Sequence, residues 1–71
     1  MQRTIAEKSI GKNVRLHNLP EITGRLVAVI FDNYYQCDLV VIYLDRTIKT
    51  NNPRIPLLYL TASTELVDLI V

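Results

Sequence analysis

The chain has 71 residues, room for one small domain, and a domain of that size buries only about 60% of its unfolded-chain surface. Hydrophobic residues make up 49% and charged residues 21%, and a net charge of +1 does not mark a nucleic-acid binder. With one cysteine, Cys37, and one histidine, His17, neither an intrachain disulfide nor a His/Cys zinc set can form, so no metal or cofactor is expected and oligomerisation or very efficient packing remains as support.

The whole of 1–71 reads as a single domain, with residues 1–10 as an N-terminal arm or helical turn. Thr4-Ile5-Ala6-Glu7 matches the capping-box pattern, with Thr4 as N-cap and Glu7 reaching back to it. Gly11 would end that helix, which is too short to be stable alone. Val14 and Leu16 then alternate with Arg15 and His17, which predicts a first short strand running to Asn18. Residues 19–24 form a loop, where Pro20 removes a ladder donor and Gly24 gives a permissive backbone. Residues 25–32 make a strong strand whose nearly continuous apolar run predicts cover on both faces. A turn at 32–35 leads into a matching strand at 37–45, so the centre is a long hairpin. Asn51-Asn52-Pro53 signals another turn, joining 47–50 to a strand at 55–61. A tight turn at 62–65 and a final strand at 66–71 follow. The β-branched Thr61, Thr64, Val67, Ile70 and Val71 weigh against a helix over 57–71. Five to six short strands with short connections predict an all-β fold, a small barrel that removes exposed sheet edges.

The layout resembles SH3-like barrels. The residues that carry it are Gly11-Lys12-Asn13-Val14-Arg15-Leu16, then Gly24-Arg25-Leu26-Val27, then the hairpin and a closing apolar strand. In such barrels a short helical turn precedes the last strand, and Ala62–Glu65 would be that turn. One branch of the fold class, the small plasmid-encoded dihydrofolate reductases, is enzymatic and lines a central pore with the glutamine of a Val-Gln-Ile-Tyr motif. Pro56-Leu57-Leu58-Tyr59 and Val40-Val41-Ile42-Tyr43 match its tyrosine and lack its glutamine. The resemblance therefore implies the architecture, and a pore-type enzyme stands only as a second alternative.

Candidate residues follow from chemistry. His17 is the one imidazole, the side-chain type most used as a general base, but no spacing supplies the oriented carboxylate and nucleophile that such a base needs. Cys37 opens an apolar strand, where a thiol behaves as a small hydrophobe. Asp32, Asp38 and Asp45 punctuate the hairpin as turn-solvating carboxylates. No catalytic residue is assigned. Tyr34, Tyr35, Tyr43 and Tyr59 could form an aromatic groove for an extended partner. Lys12, Arg15, Arg25, Arg46, Lys49 and Arg54 could line one basic edge for phosphate contacts.

Residues 55–71 are the most informative, since eleven of the seventeen are hydrophobic. Leu66, Val67, Leu69, Ile70 and Val71 need cover from the domain itself or from another subunit, and burying three such side chains is worth ~5–8 kcal/mol. The leading expectation is a cytoplasmic, self-associating interaction module, a dimer or tetramer, binding a protein or peptide through its tyrosine-bearing face. Nucleic-acid binding through the basic edge is the alternative. No apolar run reaches the ~20 residues of a membrane span and no leader pattern is seen, so no membrane partner is expected.

Overall fold

The computed structural model describes residues 1–48 and 57–70. Lys49, Arg54, Val71 and the Asn51-Asn52-Pro53 turn lie outside the described residues. A short helix, α1 (Arg3–Lys8), precedes five strands: β1 (Asn13–Leu16), β2 (Thr23–Asp32), β3 (Cys37–Ile48), β4 (Leu57–Ser63) and β5 (Val67–Leu69). All neighbours pair antiparallel in one sheet of order β4-β3-β2-β1-β5, and a 3-10 turn (Thr64–Leu66) joins β4 to β5. The expected closed barrel is not formed among the described residues. β4 and β5 stand at opposite ends of the sheet without pairing, because the 3-10 turn delivers β5 to the far side of β1.

Alternation sorts the side chains. Val40, Ile42 and Leu44 of β3 point inward, and with Val14, Leu26, Val67 and Ala6 they form the buried core. Leu39, Val41 and Tyr43 point to the other side. β2 changes phase on the way: Leu26 pairs with Ile42, but the next paired residue is Ala28, opposite Val41. Val27 is thus an extra residue, a β-bulge, and beyond it Val29 shares the side of Val40 while Ile30 shares that of Leu39. This explains the near-continuous apolar run in β2. The expectation that both faces are covered is not met within the chain, since Ile30 and Tyr43 are exposed.

Gly24 allows a close backbone approach between β2 and β3. A Cβ there would fall on the backbone oxygen of Tyr43 and 2.6 Å from Ile42 Cγ2. Helix α1 covers the inner side only, through the buried Ala6. Its expected capping box is absent: the N-cap is Gln2, and no side chain caps it. Thr4 lies one residue inside the helix, and Glu7 instead accepts from Arg3 Nε at 2.8 Å, one helical turn away. Asp38 accepts a second bond from Arg3 Nη1 at 3.1 Å, and the two carboxylates together raise the guanidinium pKa above its ordinary value, Glu7 first. After the helix, Gly11 at φ +91° turns the chain so that its N–H donates to Leu26 O at 2.7 Å, starting the β1–β2 ladder.

Candidate functional site

The four tyrosines form two pairs rather than one groove. Tyr34 and Tyr35 occupy the β2–β3 hairpin tip, ring centroids 4.7 Å apart, and are 84% and 74% exposed. The tip is held by Asp32 Oδ1, which accepts the Tyr34 N–H at 3.0 Å, and by Gln36 Nε2, which donates to Asn33 O at 2.6 Å. Tyr43 and Tyr59 pair across β3 and β4 with centroids 5.2 Å apart. Tyr43 is six residues along β3 from Cys37, which at strand rise puts the two pairs about 20 Å apart.

Arg25 stands opposite Tyr43 in the β2–β3 register, and Asn13 stands opposite Arg25, so Asn13, Arg25, Tyr43 and Tyr59 make one row across four strands. Arg15 lies diagonally beside Arg25 on the same outer face, opposite both Thr23 and Asp68. Asp45 belongs to this face too, accepting from Thr23 Oγ1 at 2.7 Å. Arg15 and Arg25 therefore alternate with Asp45 and Asp68. Lys12 and Arg46 are exposed, and the cations of the expected basic edge are interleaved with carboxylates where they can be placed.

His17 finds the carboxylate that no sequence spacing announced. Its Nδ1 lies 2.9 Å from Asp68 Oδ2, because β5 pairs with β1 and brings together residues 51 positions apart. Both side chains are largely exposed, so this is a surface cross-strand contact. Among the described residues no group of three or more His, Cys, Asp or Glu side chains could hold a metal. The three hairpin aspartates do not converge: Asp32 caps the turn, Asp38 takes Arg3 and Asp45 takes Thr23. Cys37 is a half-buried free thiol opposite Asp32.

Of the tail residues singled out for an interface, Val67 is fully buried in the chain's own core and Leu69 packs against that core. Leu66 and Ile70 remain 41% and 42% exposed. Leu66 also borders an apolar groove of about 370 Å³, shared with Leu16, Asn18 and Leu19 and with residues Leu60, Thr61, Ala62 and Ser63. Four consecutive β4 residues line it, so the edge of the strand itself, and not one of its faces, forms the wall. This groove had no sequence signature, because Leu19 sits in a loop and only the sheet order places it across from β4. No helix among the described residues is long and apolar enough to cross a membrane.

Comparison with known proteins gives no matching family model, no matching curated relative and no matching solved structure.

Proposed function

We propose that this chain is a small SH3-like binding module that recognises extended protein segments by strand addition, beginning with the edge of a second copy of itself. The observation that carries the reading is the groove along the edge of β4 that no other described strand pairs. A strand laid there would gain ladder hydrogen bonds and seat an apolar side chain among Leu16, Leu19, Leu60 and Leu66. β5 is the matching donor, a short edge strand flanked by exposed Leu66 and Ile70. The strand order and the 3-10 turn between β4 and β5 support the SH3-like reading. The hairpin-tip tyrosines extend the contact surface for a partner.

Sedimentation velocity at micromolar concentration tests the proposal. An assembly larger than one chain, reduced in size or affinity in Leu66→Glu and Leu19→Glu, is the expected result; a wild-type monomer throughout refutes it. A nucleic-acid reading draws on Arg25 lying in one row with Tyr43 and Tyr59. It requires retention on heparin at low salt, and flow-through under those conditions excludes it.

A further inference from the structure

We propose that the outer face of β2 and β3 is a second self-contact, on which another copy of the chain lies face to face. This surface is separate from the β4 edge and does not depend on strand addition there.

An antiparallel sheet with one solvated side alternates apolar-in and polar-out. Here the inward set is Leu26, Val29, Val40 and Ile42, and the outward set opposite is Ala28, Ile30, Leu39 and Val41, continuing to Tyr43. The strands have the composition of an element covered on both sides, yet α1 covers only the inner one. Val27, left without a partner by the bulge, is another exposed apolar side chain next to this patch.

The charges at the border of this patch identify what covers it. Arg15 and Arg25 alternate with Asp45 and Asp68, two of each sign. A phosphate backbone would meet as many carboxylates as guanidinium groups. An acidic or basic peptide would meet the same cancellation. A second copy related by a twofold axis presents the same pattern reversed, so each arginine can meet an aspartate across the contact. Two such faces packed as aligned sheets would bury Ile30, Val41, Tyr43 and Tyr59 between them.

Charge reversal on the full chain tests this. Both variants are made in the Leu66→Glu background, one carrying Arg15→Asp and Arg25→Asp, the other Asp45→Lys and Asp68→Lys, with circular dichroism confirming that each folds. Each alone is expected to self-associate at least about tenfold more weakly than the Leu66→Glu parent in sedimentation equilibrium, and an equimolar mixture to recover a mixed assembly. Leu66→Glu, which removes the β4-edge contact, leaves this association in place, so the two self-contacts fail separately. Val41→Lys abolishes it. The proposal is overturned if the mixture does not associate. It is equally overturned if Val41→Lys assembles like wild type in the Leu66→Glu background, or if a monomeric chain binds a single-stranded oligonucleotide through Arg25 and Tyr43.

Discussion

Tyr43 and Tyr59 stand opposite each other on β3 and β4, ring centroids 5.2 Å apart and planes at 65°. An edge-to-face pair in direct cross-strand register should couple by about 0.5–1 kcal/mol. Urea unfolding of Tyr43→Ala, Tyr59→Ala and the double variant measures that coupling. Strictly additive losses would mean that the rings do not meet in solution.

Gly24→Ala should cost about 1–3 kcal/mol or more, because its Cβ would press on backbone at Tyr43, which cannot swing aside. That corresponds to a midpoint fall of about 4–8 °C for each kcal/mol in a domain of this size. Gly11→Ala meets open space, yet its φ of +91° still makes the change unfavourable by about 1–2 kcal/mol. Thermal melts of both variants should therefore rank Gly24 at or above Gly11 in cost, and a harmless Gly24→Ala would contradict the register of β2 on β3.

The His17–Asp68 contact should contribute less than about 1 kcal/mol, as expected for an exposed pair. A cycle of His17→Gln and Asp68→Asn measures it. The coupling should stay small in low and high salt alike, since solvent competes for both partners of an exposed contact. A coupling well above about 1 kcal/mol would mean the pair is buried by association.

If copies cover the β4 edge or the outer sheet face, the melting temperature must rise with protein concentration by mass action. The rise should diminish in Leu66→Glu and again in Val41→Lys. A midpoint independent of concentration over two decades, on the order of 1–100 µM, would remove self-association as a source of stability.

The sequence made the central hairpin legible because its signals are local. The apolar strands at 25–32 and 37–45 lie within β2 and β3, which extend further, back to Thr23 from the expected loop and on to Ile48, and the Asp32-Asn33-Tyr34-Tyr35 turn falls at the observed tip. A final strand and a tight turn before it were legible for the same reason, though the strand is Val67–Leu69 and the turn, whose helical form only the SH3-like resemblance implied, falls at Thr64–Leu66. The open sheet was not, because closure depends on whether β4 meets β5, and no residue pattern reports that pairing. The tyrosines were grouped by type, and the register divides them. His17 lacked its partner in any local reading because β1–β5 pairing spans most of the chain. Thr4 and Glu7 satisfy a motif, but Arg3 offers Glu7 a full charge one turn away, which outweighs the backbone N–H of a capping box.

Val27 gives β2 one residue of slack. Deleting it would join Leu26 directly to Ala28, and every pair from Ala28–Val41 to Asp32–Cys37 could persist with its side chains on the same sides. β3 has no such spare over the same stretch. Losing Val41 would turn its neighbours over and drive Leu39 inward and Val40 outward, each to the wrong side of the sheet. The two strands of one hairpin thus differ in how they tolerate a lost codon, and the shortened β2 would keep its fold at the expense of the extra twist that a bulge lends the sheet.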